Sequence, residues 1–500
     1  MSLLGVDVGS TGVKAVVFDT DGQVLAHSYR EYPELHPRPG LFELDPQQVW
    51  DAFVAVVSQA AASSDDPVQA LAISTMGETF VPIDERGEFL YGSILSCDGR
   101  AQQQVQQLAE RLGARQVFQI TGMPIHPSFT LPKLMWMRDN EPEVHANTYK
   151  YLLWPDAICT KLGLPARLDW SLAGRTMAFD VTERRWSEPM LEAAQISPEL
   201  LAEPIRPGEI IGQLPAKAAQ LLGLSTGCVV VAGGHDQPMN ALGAGIIGEG
   251  LAVDGMGTTE CVTVAFDEPV LTDAMFNHNY CCYPHVAGDM YVSLAFNYSS
   301  GSLLRWFRDN FAEADRRRAE EQGRDAYEII LENLPAGPTG VLVVPYFAGA
   351  GTPHMDAQAR GAMVGMTLST DRKSFIKALL EGVCLDLRLN LESLAQAGVE
   401  VSRLRATGGG SKSPYWLQLK ADITGYEVVT INVVESGCQA AAILAGVATG
   451  VYDSVAQAVG QLVSERTVYE PRAQVHESYQ HYFELYKQLW PDVREIVHQL

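Results

Sequence analysis

The chain lacks any apolar run near the length of about 18 residues that a membrane-spanning helix needs, so no bilayer-crossing segment is expected. Basic residues are scarce: 36 Lys and Arg stand against 60 Asp and Glu, a formal net charge of -24 at pH 7. Such a surface repels phosphate backbones and anionic membranes, so neither nucleic acid nor membrane is expected as a partner. A small anionic ligand would therefore need its own local site. The eight cysteines form no Cys-x-x-Cys pair, and Cys281 and Cys282 are adjacent, which argues against a disulfide framework and against a zinc site. The first residues carry no basic stretch followed by an apolar core, so the expectation is a reducing, cytoplasmic setting without export.

What is present describes a globular protein: 500 residues, 47% hydrophobic and 19% charged, enough for two to four domains. The organising stretch is Gly5-Val6-Asp7-Val8-Gly9-Ser10-Thr11-Gly12-Val13-Lys14, continuing to Asp19. Alternating apolar positions on both sides of the glycines predict a β-hairpin, not the strand-to-helix turn of a P-loop or dinucleotide fingerprint. The backbone N–H groups and hydroxyls of such a turn suit phosphate, and Asp7 points a carboxylate at it. An ordinary Gly-rich turn would look the same.

A second copy separates the two readings. In Asp254-Gly255-Met256-Gly257-Thr258-Thr259-Glu260, running on to Phe266, Gly257 falls on Gly9, Thr258 on Ser10, Thr259 on Thr11 and Phe266 on Phe18. A duplicated strand–turn–strand element, one copy per half, can clamp a polyphosphate from both sides of a cleft. The boundary between halves is expected near residues 240–250, where glycines break a helix.

Elsewhere the patterns predict a helix over 46–62 capped by Asp45, a buried strand 71–74, helices at 101–113, 131–139 and 187–195, and a buried strand from Val229 ending in Gly233-Gly234-His235-Asp236. A long amphipathic helix is predicted over 372–397. A strand then enters Thr407-Gly408-Gly409-Gly410-Ser411-Lys412-Ser413-Pro414, with Ser413 as cap and Pro414 at the first helical position. An alanine-rich helix near 438–446 is expected to pack beside that turn. The aromatics of 474–499 read as core contacts. The order is mixed α/β.

With these parts in place, the chain resembles the FGGY carbohydrate kinases over essentially its whole length. The resemblance rests on Asp7 to Lys14, Gly233 to Gln237, Gly257-Thr258-Thr259, Gly301-Ser302, Thr352-Pro353-His354, Leu380-Glu381-Gly382 and Thr407 to Pro414. Phe129 to Leu134, Thr352 to His354 and the Gly-Gly-Gly-Ser-Lys-Ser-Pro run are closest to xylulokinases. The pattern departs at the sugar: Met76-Gly77-Glu78 replaces a Gln-Met-His-Gly run, and Glu78 takes the histidine's place. Ser96-Cys97-Asp98 lacks the usual tryptophan.

The resemblance implies the two-domain fold of the actin, hexokinase and heat-shock-70 ATPases, duplicated ribonuclease H-like domains around a central cleft. It assigns residues 1–245 to a sugar-binding domain and 246–500 to a nucleotide-binding domain. ATP with Mg²⁺ is the implied donor. Asp236 is the expected base toward a primary hydroxyl, with helix capping as the alternative for that side chain. Asp7 is expected to hold Mg²⁺ through water. Gly9, Ser10, Thr11, Lys14, Gly257, Thr258, Thr259 and Gly301 are expected around the phosphates, and Gly409, Gly410 and Ser413 around adenosine. Met76, Gly77, Glu78 and Asp98, with Asp236, are the candidate sugar contacts.

The expected reaction is ATP-dependent phosphorylation of a ketopentose, D-xylulose first, with L-fuculose, L-ribulose or glycerol as alternatives. From another class, an actin-type nucleotide switch without sugar turnover is the competitor. Closure of the cleft on sugar binding is expected to keep water from ATP. The resemblance admits a homodimer, while the sequence leaves the oligomeric state open.

Overall fold

A computed structural model describes residues 1–500. Two large sheets dominate it. The first places the strands in the order 210–213, 229–235, 68–75, 2–8, 12–18, 24–31. Strands Ser2–Val8, Val68–Thr75 and Val229–His235 are mutually parallel, while Gly12–Phe18 and Val24–Glu31 continue antiparallel from the opening strand. The second sheet repeats this plan. Leu251–Met256 pairs antiparallel with Glu260–Phe266, which pairs with Tyr291–Asn297, and lies parallel to Arg403–Thr407, itself parallel to Glu427–Ile431. Each hairpin thus lies inside its own sheet with neither strand at an edge, and the duplication read from the glycine turns extends to the whole sheet topology.

The helices form where the periodicity requires. Pro46–Ala62 begins with Asp45 accepting from the Gln47 N–H at 2.9 Å and buries Val49, Trp50, Phe53, Val56 and Val57 against the first sheet. Each such side chain contributes about 1.5–3 kcal/mol through burial. Arg372–Gln396 fills the corresponding place before strand Arg403–Thr407. The C-terminal helix Ala473–Val497 buries Tyr479, Phe483, Tyr486 and Trp490, as core contacts.

One expectation is corrected. The alanine-rich helix, Ser436–Ala448, does not lie beside the Gly408–Gly410 turn; it packs on the first sheet, against strands 2–8 and 68–75, and against the helix Asp236–Gly243. Small residues make this approach possible. A Cβ on Gly5 would stand 1.9 Å from the Cys438 carbonyl oxygen, and one on Gly243 would stand 1.9 Å from that of Ser436. Two helices, each following a parallel strand of its own sheet, therefore touch backbone to backbone between the halves.

Candidate active site

Three parallel strands of the first sheet end together. The register aligns Asp7 with Ser74, Ser74 with Gly234, and Thr75 with His235, so Asp7, Met76 and Asp236 emerge at one edge. The Ser74 hydroxyl donates to Asp7 Oδ1 at 2.7 Å. Burial raises the Asp7 carboxyl above its ordinary range, with Ser74 and Lys14 partly offsetting it.

Asp236 opens the helix Asp236–Gly243, and His235, not Asp236, occupies the capping position. The Asp236 carboxylate therefore projects from the first turn instead of closing it. Burial, then the charges of Asp7 and Glu78, push it up to about 7. His235 Nε2 lies 3.1 Å from Asp236 Oδ1, and His235 Nδ1 lies 2.9 Å from the Tyr283 hydroxyl. Assigning Tyr283 as donor to Nδ1 leaves the ring proton on Nε2, facing Asp236. Burial drives the His235 imidazolium pKa well below its usual value, so this neutral ring lies against the carboxylate without neutralising it, and Asp236 Oδ1 is left without a hydrogen-bond partner.

Beside this pair Glu78 is buried in the left-handed region, with φ 59°. Arg175 holds it there: Nε donates to Glu78 Oε1 at 2.6 Å, with Nη2 on the same oxygen. The guanidinium carbon lies 5.0 Å from the Phe129 ring centroid and 5.2 Å from that of Tyr283, so two aromatic faces cradle the cation. Gly77 has no room for a side chain, since a Cβ would come within 2.8 Å of His235 Nε2. Met76 is buried. Asp98 is engaged differently. Its carboxylate accepts from the Phe42 N–H at 2.7 Å and from Arg100 Nε and Nη2 at 2.8 and 2.7 Å. Burial opposes its charge, yet these donors hold it below the ordinary range. Its geometry is that of a loop clamp, and Arg100 also meets Glu43.

At the first turn Gly9 N–H donates to Gly12 at 2.9 Å, leaving Ser10 and Thr11 exposed. Lys14 reaches Glu435 at 2.7 Å, joining the first hairpin to the residue before helix Ser436–Ala448. A Cβ on Gly437 would be 3.7 Å from the Asp7 carboxyl carbon, so the start of that helix also borders the site. The second turn mirrors the first: Gly257 N–H donates to Thr259 at 3.0 Å, and Thr258 and Thr259 are exposed. Gly301 packs on it, a Cβ there meeting the Gly257 oxygen at 2.4 Å. Gly408, with φ 80°, and Gly410 crowd Met256, the residue just before Gly257, whereas nothing stands within 4 Å of a Cβ on Gly409. Ser413 caps the following helix, accepting from Trp416 N–H at 3.3 Å. Gly257, Thr258, Thr259, Gly301, Gly409, Gly410 and Ser413 thus gather along one edge of the second sheet, as Asp7, Gly9, Glu78 and Asp236 do along the first.

Sequence reasoning missed Arg175, Glu435 and Gly437. Arg175 carried a signal, a lone cation in the otherwise buried stretch 171–179. Asp7 and Asp236 stand together where the strands of the first sheet end, and the charge of Asp7 raises Asp236, an arrangement that suits an ion that keeps its water and takes one or two carboxylates plus phosphate oxygens.

Duplicated sheets, each carrying a Gly-rich turn, with the raised Asp236 carboxylate beside the Glu78–Arg175 pair, are the frame of an ATP-dependent sugar kinase, and the family matches establish that class. The chain belongs to the FGGY family of carbohydrate kinases: its N-terminal domain model matches residues 2–243 and its C-terminal domain model residues 255–449. It is 28% identical over 498 residues to the xylulose kinase of Bacillus subtilis, covering 99% of this chain and 97% of that one. It is 30% identical over 507 residues to the autoinducer-2 kinase of Klebsiella pneumoniae, covering 98% and 94%. The crystal structure of gluconate kinase from Lactobacillus acidophilus superposes with a TM-score of 0.90 at 26% identity, covering 98% of each chain. Membership of this family sets aside the nucleotide-switch reading.

Proposed function

We propose that the protein phosphorylates the terminal hydroxyl of a neutral ketopentose, D-xylulose before others, giving the 5-phosphate. The observation that carries this reading is the Glu78–Arg175 pair beside Asp236. Arg175 is already matched by the buried carboxylate of Glu78, and the second cation near Glu78, Lys133, is buried on the carbonyls of Leu95 and Ser128. A sugar acid would bring a further negative charge next to Glu78 and Asp236, whereas a polyol donates hydroxyl hydrogens to those carboxylates.

In this reading Asp236 accepts the proton of the attacking hydroxyl as the oxygen meets the γ-phosphorus of ATP. Its raised pKa suits proton transfer near neutrality. The turns at Gly9–Thr11 and Gly257–Thr259 offer N–H and hydroxyl donors to the phosphates, Lys14 adds a charge beside the first, and Gly409, Gly410 and Ser413 border the adenosine. Mg²⁺, held by Asp7 through water, would neutralise charge on the phosphates. Glu78 in the place of a xylulokinase histidine favours a second reading, a kinase of another neutral ketose or polyol such as L-fuculose, L-ribulose or glycerol.

Coupled ADP release across D-xylulose, L-ribulose, L-fuculose, glycerol and gluconate tests the assignment. The highest kcat/KM is expected with D-xylulose and the lowest with gluconate. Gluconate turnover matching that of the ketoses would overturn it.

A further inference from the structure

Directly beneath the second glycine turn, three charged side chains are withdrawn from water. Asp254 lies on strand Leu251–Met256, Glu260 begins strand Glu260–Phe266, and Lys420 is in the middle of helix Pro414–Thr424. Lys420 and Asp254 have side chains of 0% exposure and Glu260 of 4%. Lys420 Nζ donates to Asp254 Oδ2 and to Glu260 Oε1. The other Glu260 oxygen accepts from the Ser300 hydroxyl at 2.7 Å, and the Ser300 N–H donates to the Thr258 carbonyl at 3.3 Å. Asp254 Oδ1 is buried without a partner.

Stability does not account for such a cluster. Withdrawing each ion from water costs several kcal/mol, and apolar replacements of buried ion triads are often neutral or stabilising. Two carboxylates share one ammonium here. Connectivity is what the cluster supplies. Through Ser300 it reaches the carbonyl of Thr258 in the second phosphate turn. Through Lys420 it grips the helix that follows the Gly408–Ser413 run, and Gly410 itself presses on Met256, two residues beyond Asp254.

We propose that Lys420, Asp254 and Glu260 are positioning residues that lock the Gly257–Thr259 turn and the Gly408–Ser413 segment into one preformed nucleotide-holding unit. This rests on reading those two segments as the ATP site. The triad touches neither sugar nor the Asp236 carboxylate, so its effect falls on nucleotide affinity.

The test uses the full chain with Lys420→Met, Glu260→Gln and Ser300→Ala, measuring ATP affinity by calorimetry, KM for ATP and for the sugar, and melting temperature. Lys420→Met is expected to weaken ATP about tenfold or more while sugar KM stays within about twofold, a tenfold change being about 1.4 kcal/mol. Glu260→Gln and Ser300→Ala cut the same link, so each weakens ATP severalfold and the double variant is no worse than the stronger single one. Should Lys420→Met fail to fold, these two carry the test. Lower melting temperatures with unchanged ATP affinity in all folded variants would overturn the proposal and leave the triad purely structural. A wild-type chain that binds no ATP would instead overturn the nucleotide reading on which it rests.

Discussion

Replacing Glu78 by Gln should move the acid limb of the pH–rate profile, and the direction follows from the site's charges. A base must be deprotonated to act, so activity falls as pH drops through its pKa, and kcat/KM reports that pKa in the free enzyme. In the wild type the limb is expected near 7, where burial, Asp7 and Glu78 together push Asp236. Glutamine keeps the shape of Glu78 and an acceptor for Arg175 but removes one negative charge. Glu78 is one of the two charges that raise Asp236, after burial and Asp7. For a like charge within roughly 10 Å at an effective dielectric of about 20, the lost repulsion is on the order of 1–2 kcal/mol. Water and ions in the cleft screen part of this, leaving a downward shift of about one unit at about 1.4 kcal/mol per unit.

The assay is kcat/KM for the preferred sugar between pH 5 and 9, at saturating ATP and fixed ionic strength. The position of the limb is the readout, because Glu78 as a sugar contact also changes the height of the curve. A limb that stays put, or moves upward, would refute the electrostatic coupling between Glu78 and the base.

The same Glu78→Gln variant leaves Arg175 uncompensated, so its kcat/KM for gluconate should rise relative to wild type in the ADP-release assay. Asp236→Asn should lower kcat by about 10²–10⁴-fold, the usual worth of general base catalysis, with calorimetric ATP affinity within about twofold. Gly5→Ala forces a Cβ against a backbone carbonyl that no rotamer change relieves, so thermal or urea unfolding should show a loss of about 1–3 kcal/mol or more. Lys14→Met breaks a half-exposed ion pair with Glu435 and should alter stability by less than about 1 kcal/mol, while KM for ATP rises severalfold.

The hairpins Ser2–Phe18 and Leu251–Phe266 and the helices at 46–62 and 372–396 were legible because each is specified locally: alternation for the strands, a 3.6-residue stripe and an Asp-Pro start for the first helix. The destination of the alanine-rich helix was not. Periodicity shows that a face is buried, but Ala440 and Ala441 fit any close partner, and it takes missing side chains such as that of Gly5, more than 400 residues away in the chain, to admit the helix onto the first sheet. Arg175 and Glu78 are likewise 97 positions apart, and nothing near either residue announces the other.

Those long-range contacts also explain why the site's halves are held in one geometry. Asp236 opens one of the two crossing helices and Gly437 lies in the first turn of the other, against Asp7. Because Gly243 meets the Ser436 carbonyl with no side chain between, any rotation of one helix about the crossing must displace Gly437 and Glu435 relative to Asp7 and Asp236. Lys14, pairing with Glu435 at the same helix start, adds the first phosphate turn to that linkage. The residues flanking the crossing are therefore as much part of the catalytic geometry as the carboxylates: a substitution at Gly243 should depress phosphoryl transfer even in variants that remain folded. A folded Gly243→Ala enzyme with full kcat would show that the crossing holds the halves together without setting the place of Gly437 and Glu435 against the two carboxylates.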